Sequence, residues 1–383
     1  MMKQTNKIRV AVLFGGKSAE HEVSLRSAAN IIQFLDSSRF DIIPIGIDKQ
    51  GSWFLGHDVF SKSLEHNQVL SLHNNHQAWF VPESIGSPGN QDSQRPKELK
   101  QQQTKDHHFD VVFPALHGTL CEDGTLQGLL EIANLPYVGC GVLSSAIGMD
   151  KDVSKRLAIN AGVAVAPYIA VKHDQWQKRP QHIIQQVEKL SYPVFVKPAN
   201  TGSSIGIAKV KSPDQLNAAI NDAFRFDTKI LIEKGLNVLE LELAVLESLE
   251  ADADPIVSVV GEIKPRHEFY SYDAKYVDEN GADLLIPAPV AEEVLKEAQV
   301  IAKILFNALE CEGMARVDLF YDKDTNKIYF NEVNTIPGFT QISMYPKLMA
   351  ASGVPYSELL THLVELAMKR HHNKSQLIRS YAD

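Results

Sequence analysis

The segment MARVDLFYDKDTNKIYFNEVNTIPG, residues 314–338, decides how this chain folds. Two runs of alternating apolar and polar residues flank the polar turn DKDTN, which predicts a β-hairpin centred on residue 325. In that register Asp318 lies opposite Glu332, and Arg316 lies opposite Asn334. Because strand side chains alternate with period two, these polar groups share one face of the hairpin. The sequence therefore predicts that two carboxylates, an amide and a guanidinium converge.

The two opposed carboxylates need an explanation, because like charges facing each other across paired strands destabilise a sheet. One explanation is that both side chains stay solvated and splayed apart. The other is a bound cation, since two carboxylates and one amide oxygen suit Mg²⁺ or Mn²⁺. Neither Cys nor His joins the set, which disfavours zinc. We favour the metal site, with Asp318, Glu332 and Asn334 as its ligands, and keep the solvated hairpin as the alternative.

A second hairpin is predicted by VFVKPANTGSSIGIAKV, residues 194–210. Its apolar run breaks at a Gly-Ser cluster, residues 201–204, and IGIAKV then reads as a returning strand. The cluster fits neither the P-loop nor the dinucleotide fingerprint, both of which need a following helix. A loop of small residues can cradle phosphate on its backbone N–H groups, and Lys197 just before it favours that role. A flexible surface turn remains the alternative.

Composition limits the classes of function. The 383 residues suffice for two or three domains. A net charge of −9 without a long Lys/Arg block argues against a nucleic-acid partner. Three widely spaced cysteines, Cys121, Cys140 and Cys311, make a disulfide framework unexpected. The N-terminal apolar run is too short for a signal peptide, and no run of about 20 apolar residues follows, so we expect a cytoplasmic protein with no membrane partner.

The N-terminal part predicts a parallel α/β domain over residues 1–146. KIRVAVLFGG, residues 7–16, reads as a buried strand, and residues 18–35 have helical apolar spacing. FDIIPIGID and FDVVFPALHG predict further strands of the same sheet. Residues 84–108 between them are polar and Gln-rich, and we expect a mobile insertion there.

Two more domains are expected, over residues 147–228 and 229–383. The central one mixes helices and strands and contains the Gly-Ser hairpin. Strands dominate the last one, interrupted by a long helix at residues 291–310. The aromatic-rich, poorly periodic stretch at about 266–290 is predicted to be a lid.

Several charged residues would serve a nucleotide if the metal carries one. Lys151, Lys197 and Lys275 each lie beside a predicted loop or strand end, and a lone lysine there is usually a solvated surface residue. Glu233 and Glu240 could accept bonds from ribose hydroxyls, or could simply belong to an exposed strand face.

Taken together, these segments resemble the ATP-grasp enzymes, and more closely the D-alanine--D-alanine ligases. The resemblance runs almost from end to end and is carried by seven segments in order: GGKSAEHEVSLRSA, ALHGTLCEDGTLQGLLE, GMDK, VKPANTGSSIGI, EFYSYDAKY, MARVDLF and NEVNTIPGFTQISMYP. It implies a three-domain ATP-grasp fold with an N-terminal parallel α/β domain. It also implies that ATP lies between the second and third domains, together with a pair of Mg²⁺ or Mn²⁺ ions.

The implied reaction joins two D-alanines and supplies peptidoglycan precursor synthesis. The first D-alanine's carboxylate takes the γ-phosphoryl group of ATP, and the amine of the second then displaces phosphate. The resemblance implies that the metal ligands are Asp318, Glu332 and Asn334. It implies phosphate contacts from Lys151, Lys197 and Lys275, with Ser204 in the phosphate-covering loop, and adenosine contacts from Glu233 and Glu240.

On the substrate side, the resemblance implies that Glu20 binds the ammonium of the first D-alanine, and that Ser203 and Tyr276 complete its hydrogen-bonded network. Arg316 and the Gly338 amide would bind the oxyanion, Ser343 would bind the carboxylate of the second D-alanine, and His117 would lie near both substrates. The family is usually dimeric, which predicts a homodimer.

Three features depart from the family pattern. Cys121 stands where glycine is usual, so the loop after His117 is expected to differ in backbone conformation. Leu239 stands where arginine is common before Glu240, and the insertion at 84–108 is long. Two alternatives remain: another ATP-grasp ligase that joins a carboxylate to an amine, and a non-catalytic nucleotide sensor. The sensor would need no substrate-side residues such as Glu20 and Ser343.

Overall fold

The computed structural model describes residues 7–55, 109–266 and 282–378, which form three β-sheets. The expected insertion at 84–108 lies outside the described residues, as does most of the expected lid, residues 267–281. Within the described ranges, no helix combines the length and apolar character needed to cross a membrane.

The N-terminal sheet has the strand order β3-β2-β1-β4, and β1 is parallel to both of its neighbours. Its elements are β1 (Ile8–Gly15), α1 (His21–Phe34), β2 (Phe40–Ile47), β3 (Trp53–Leu55), β4 (Val111–Pro114), α2 (Thr125–Ile132) and α3 (Val142–Met149). The continuous apolar run of β1 is buried, as is usual for a parallel strand covered on both faces. The predicted parallel α/β arrangement is therefore confirmed.

The central sheet is antiparallel throughout, with the order β5-β8-β6-β7. Its elements are α4 (Lys151–Asn160), β5 (Tyr168–Lys172), α5 (His173–Lys178), α6 (Pro180–Leu190), β6 (Val194–Pro198), β7 (Ala208–Val210), α7 (Pro213–Ala223) and β8 (Lys229–Lys234). Strands β6 and β7 are the arms of the predicted Gly-Ser hairpin, which is confirmed.

The third sheet has the order β12-β11-β9-β13-β14, and β10 pairs with β9. Its elements are β9 (Val238–Leu246), β10 (Ile256–Val257), β11 (Gly261–Pro265), β12 (Ala282–Leu285), α8 (Glu292–Ala308), β13 (Met314–Asp322), β14 (Lys327–Asn334), α9 (Met344–Ala351) and α10 (Tyr356–Ser375). One hydrophobic core joins β1, α1 and β4 of the first sheet to α9 and α10, so both ends of the chain fold together.

Strand pairing changes where the domain borders belong. The expected border at residue 146 falls inside helix α3, and the expected border at 228 separates β8 from the central sheet with which it pairs. Cutting a sheet would expose paired backbone groups, so a border cannot lie between paired strands. We therefore propose borders near Asp150 and after Lys234.

Candidate active site

A cleft of about 460 Å³ separates strands β6 and β8 of the central sheet from strands β9, β11, β13 and β14 of the third sheet. Many of the residues singled out from the sequence line this cleft: Lys151, Lys197, Ser203, Ser204, Glu233, Glu240, Arg316, Asp318 and Glu332. The structure thus brings together, at one place, groups separated by almost 200 positions in the chain.

The predicted pairs Asp318–Glu332 and Arg316–Asn334 of the β13–β14 hairpin are confirmed, but the register shifts by one residue after Asp318, so Leu319 pairs with Phe330. Arg316 donates to both oxygens of Asp318, from Nε to Oδ1 at 2.8 Å and from the terminal nitrogen to Oδ2 at 2.7 Å. The amide nitrogen of Asn334 donates to Asp318 Oδ2 at 2.9 Å. The four polar groups therefore meet on one face, as the alternation predicted.

Cations of the protein itself offset much of the charge on this face. Arg316 Nε also lies 3.1 Å from Glu242 Oε2, and Lys151 Nζ lies 3.5 Å from Glu332 Oε2. Burial lowers the pKa of Arg316, but Asp318 and Glu242 outweigh it, so this pKa is raised and the guanidinium stays charged. Among the described residues, the cations on this face are Arg316 and Lys151, and the carboxylates are Glu242, Asp318 and Glu332.

The residues fit a hard cation by the chemistry of their donors. Glu332 and Asp318 supply carboxylate oxygens, and Asn334, whose amide nitrogen faces Asp318, has its amide oxygen to offer. In the described part of the chain no three His, Cys, Asp or Glu side chains form a metal cluster, so the fit depends on this mixed set of carboxylates and amide. Such a set is typical of Mg²⁺ and Mn²⁺ rather than zinc.

The Gly-Ser loop between β6 and β7 has an unusual backbone. Ser203 (φ +50°), Ser204 (φ +59°) and Gly206 (φ +70°) are all in the left-handed region. Backbone turns of this kind form concave anion-binding surfaces. Lys151 Nζ donates to the carbonyl of Thr201 at 2.6 Å, so this lysine ties helix α4 to the loop at the edge of the cleft.

Behind the loop, Glu233 is buried between two lysines. Its Oε1 lies 3.3 Å from Lys197 Nζ, and its Oε2 lies 3.2 Å from Lys155 Nζ. Burial raises the pKa of Glu233, but the two lysines outweigh it, so the pKa is lowered and the group is a carboxylate. Sequence reasoning missed Lys155, although its position four residues after Lys151 places it on the same side of α4.

Glu242 was missed as well, and a signal for it existed. It follows Glu240 by two positions in β9, so strand alternation puts both side chains on one face, and both line the cleft. Arg316 sits between Glu242 and Asp318, which are themselves cross-strand partners.

A substrate-side group of residues adjoins the loop. The Ser203 hydroxyl donates to Glu20, which is buried at the start of α1. His117 is also buried, and its ring contacts Ser27 Oγ at 3.0 Å and the carbonyl of Ile336 at 3.1 Å. The predicted link between Ser203 and Glu20 is therefore present, and it connects the N-terminal sheet to the loop.

His117 belongs to a cluster with a further carboxylate, Glu122, that the sequence analysis did not select. Their closest atoms, Nδ1 and Oε1, lie 3.9 Å apart. Burial lowers the pKa of His117, but Glu122 and Glu20 outweigh it, so this pKa is raised. Burial and the charge of Glu20 raise the pKa of Glu122, although His117 acts to lower it. The pair therefore holds a proton to higher pH than separate groups would.

Gly338, which is predicted to bind the oxyanion, lies close to Ser343, which is predicted to bind the second D-alanine. A Cβ atom added to Gly338 would come within 2.7 Å of Ser343 Oγ, so only glycine leaves this approach unobstructed. Ser343 precedes the first residue of α9, and its Oγ accepts from the backbone N–H of Thr340 at 3.0 Å. A hydroxyl at the positive end of a helix is suited to a carboxylate ligand.

Two predicted residues, Lys275 and Tyr276, lie outside the described residues. Of the three departures from the family pattern, Cys121 and Leu239 are among the described residues. Cys121 is buried and its φ is not positive, so it carries no strain of the kind that favours glycine, whereas the preceding Leu120 has a φ of +70°. Leu239 lines the cleft beside Glu240.

Two facing sheets with a lysine- and carboxylate-lined cleft between them, and a small loop at its edge, define the ATP-grasp class of ligase fold. Two family models match the chain, the D-ala D-ala ligase N-terminus over residues 9–140 and the D-ala D-ala ligase C-terminus over residues 157–365. The chain belongs to the D-alanine--D-alanine ligase family.

Similar proteins agree with that assignment. The D-alanine--D-alanine ligase A of Bradyrhizobium diazoefficiens is 49% identical over 380 residues, which is 98% of this chain and 99% of that protein. The D-alanine--D-alanine ligase A of Escherichia coli (strain K12) is 46% identical over 95% of this chain and 97% of its own.

Solved structures give the same picture at lower identity. The D-alanine-D-alanine ligase from Coxiella burnetii is 34% identical, with a TM-score of 0.78 over 98% of each chain. The VanG D-Ala:D-Ser ligase from Enterococcus faecalis is 36% identical, with a TM-score of 0.78 over 94% of this chain and 100% of that one.

Proposed function

We propose that this protein is an enzyme that uses ATP to join two D-alanines into D-alanyl-D-alanine, releasing ADP and phosphate and supplying peptidoglycan precursor synthesis. The observation that carries the proposal is the contact of Ser203 with Glu20, which puts the substrate-side residues directly against the nucleotide cleft. Family membership over most of the chain supports it. A nucleotide sensor would not need this second group of residues.

On the nucleotide side, Lys151 and Lys197 would hold phosphates, beneath the backbone of the loop around Ser204. Glu233 and Glu240 also line the cleft, and they would bind adenosine. We propose that Lys275 completes the phosphate contacts from the segment at 266–290.

Asp318, Glu332 and Asn334 would hold Mg²⁺ or Mn²⁺, which when bound neutralises charge on the phosphate oxygens. The structure supports the proposal through the shared face of these side chains and their all-oxygen donor set. Arg316 donates to both oxygens of Asp318, so a bound cation would share this carboxylate with the guanidinium.

The reaction follows from what the substrate-side groups can bind. Glu20 would hold the ammonium of the first D-alanine, whose carboxylate oxygen attacks the γ-phosphorus while ADP leaves. The second D-alanine, bound through its carboxylate at Ser343, loses an ammonium proton and attacks the acyl carbon. Arg316 and the Gly338 amide would stabilise the resulting oxyanion, and phosphate leaves. Tyr276 would complete the Ser203–Glu20 network.

Substrate-dependent release of ADP tests this function. Activity with D-alanine and none with L-alanine is expected. D-Serine and D-lactate must be included as acceptors, because one structural relative is a D-Ala:D-Ser ligase. Preference for another acceptor would indicate a different ATP-grasp ligase, and nucleotide binding without turnover would indicate a sensor.

Two further properties remain proposals. We place the enzyme in the cytoplasm, where ATP is available, and we expect a homodimer. Light scattering coupled to gel filtration measures the second property directly, and a mass of one chain at all concentrations would contradict it.

A further inference from the structure

Lys155 is among the largest fully buried side chains of the described structure, with 1% of its surface exposed. Its ammonium lies 3.2 Å from Glu233 Oε2, donates to the carbonyl of Phe330 at 3.2 Å, and lies 5.9 Å from the Phe330 ring centre. A buried ammonium is costly unless it is paired and hydrogen-bonded, and here it is both. Lys155 is therefore part of a specific charged arrangement.

The two lysines on Glu233 differ in what else they can reach. Lys197 lines the cleft, and its ammonium lies 5.8 Å from the ring centre of Phe195 and 5.7 Å from that of Phe320. Lys155 does not line the cleft and approaches Glu233 from the side of helix α4. Only Lys197 is placed to contact a nucleotide.

This difference matters because Glu233 is itself only 2% exposed. If Lys197 were its sole counter-ion, moving Lys197 to a phosphate would leave a buried carboxylate unpaired, which is strongly unfavourable. Lys197 would then be held by Glu233 in competition with the nucleotide. A second lysine that stays on Glu233 removes that competition.

We propose that Lys155 is a positioning residue that remains the counter-ion of Glu233 and thereby leaves Lys197 available to bind the nucleotide phosphates. The inference rests on the proposed nucleotide site and adds a residue that acts from behind it. Lys155 and Lys197 carry two positive charges and Glu233 carries one negative charge. The group therefore has one net positive charge for the ligand.

The ionisation of Glu233 requires such a counter-ion. The pKa of Lys155 is lowered, because burial and Lys197 outweigh the opposing effect of Glu233. Glu233 stays ionised because its pKa is lowered by Lys155 and Lys197 together against burial. A neutral Glu233 would need no counter-ion and would leave Lys197 free in any case.

The test separates phosphate binding from adenosine binding. Dissociation constants for adenosine and for ADP are measured by calorimetry in EDTA, and their ratio gives the contribution of the phosphates. Lys155→Met should lower this ratio by about tenfold or more, because Lys197 stays on Glu233. If Lys155 only shaped the adenosine site, Lys155→Met would weaken the binding of adenosine and ADP equally. The ratio would then stay unchanged, and that result would overturn the proposal.

A second pair of variants serves as control. In Glu233→Gln the charge that needs a counter-ion is gone, so adding Lys155→Met should not change the ratio. A tenfold fall in that background would contradict the proposal, and this comparison also decides the matter if Lys155→Met alone does not fold. Wild-type protein that binds ADP no better than adenosine would instead refute the nucleotide site itself.

Discussion

Glu332 is the residue whose charge tests the metal hypothesis most directly. It is the cross-strand partner of Asp318, and Lys151 lies 3.5 Å away. Glu332→Gln keeps the shape but removes one charged oxygen ligand, so we expect metal affinity and activity to fall by at least about 10–100-fold. The measurement is the Mn²⁺ concentration that half-saturates ADP release.

Glu297→Gln is the matched control, because Glu297 is exposed on α8 and the same chemical change should leave metal dependence unaltered. A folded Glu332→Gln protein with wild-type activity at ordinary Mg²⁺ would refute the metal assignment. It would leave the solvated hairpin as the explanation of the paired carboxylates.

The His117–Glu122 cluster gives a pH prediction with a definite sign. The pKa of His117 is raised in the folded protein, so its protonated form contributes stability that is fully present below the unfolded value of about 6.5. That contribution is lost as pH rises through the folded pKa. The difference in free energy of unfolding between wild type and His117→Asn should therefore shrink with rising pH.

Urea unfolding at several pH values between 5 and 9 measures this difference. Glu122→Gln removes the carboxylate that raises the pKa of His117 against burial, so in that background the decrease of the difference with rising pH should become smaller or reverse. In protein that keeps Glu122, a difference that grows with pH would show that His117 is held neutral instead.

The sequence could identify site residues that follow the two-residue period of a strand. It could not identify residues whose role depends on contacts with distant parts of the chain. Arg316 and Asp318 stood out because alternation aligned them with residues of the next strand, and that register is confirmed. Lys155 looked like an ordinary helical lysine, because its partners Glu233 and Phe330 are distant in the chain. Burial at that site, which no local pattern shows, distinguishes it from a solvated lysine.

At the scale of elements, the loop between β6 and β7 depends on Gly206. Its φ is +70°, and an added Cβ would come within 2.6 Å of Phe226 and 2.9 Å of the Pro198 ring. Gly206→Ala should destabilise the protein by about 1–2 kcal/mol for the left-handed backbone and should displace the loop. We expect KM for ATP to rise several-fold.

Gly353→Ala provides the matched control for that strain. Gly353 has a φ of +90° but nothing within 4 Å of an added Cβ, so it should lose similar stability without any change in KM for ATP. Equal KM values for the two variants would mean that the loop conformation does not influence nucleotide binding.

Element boundaries followed the sequence pattern except where side chains or backbone turns interrupted pairing. The run PIVSVVGEIKP, residues 255–265, reads in the sequence as one strand, but it forms β10 and β11. The interruption arises because Ser258 Oγ accepts from the N–H of Ala244 and donates to the carbonyl of Val259. The returning arm of the loop hairpin begins at Ala208 rather than at Ile205, because the left-handed residues before it cannot pair as a strand. The short edge strand β3 was missed, since three residues show no period.

At the scale of the whole molecule, the two ends of the chain share one hydrophobic core. The shared core joins the N-terminal sheet to helices α9 and α10, whereas the central sheet has a separate core of its own. The sequence order suggested three successive domains, but it could not show that the first and last share a core, because that depends on contacts between distant segments.

Arg370 on helix α10 connects these two ends by direct bonds. It donates to the carbonyls of Gly139 at 2.6 Å and Tyr137 at 2.7 Å, and it lies 3.2 Å from Glu312 Oε2. Its guanidinium also lies 4.5 Å from the Tyr137 ring centre. A single side chain thus joins the segment between α2 and α3, the segment between α8 and β13, and the last helix.

Replacing Arg370 with Met should therefore weaken the shared core more than loss of an ordinary surface charge would. Hydrogen bonds from a charged donor are worth about 1.5–3 kcal/mol each, so we expect the free energy of unfolding to fall by about 3 kcal/mol or more. Arg225→Met is the control, because its bridge to Asp222 is largely exposed and its loss should cost no more than about 0.5 kcal/mol. Urea unfolding followed by circular dichroism measures both. Equal midpoints for the two variants would show that apolar packing alone holds the ends of the chain together.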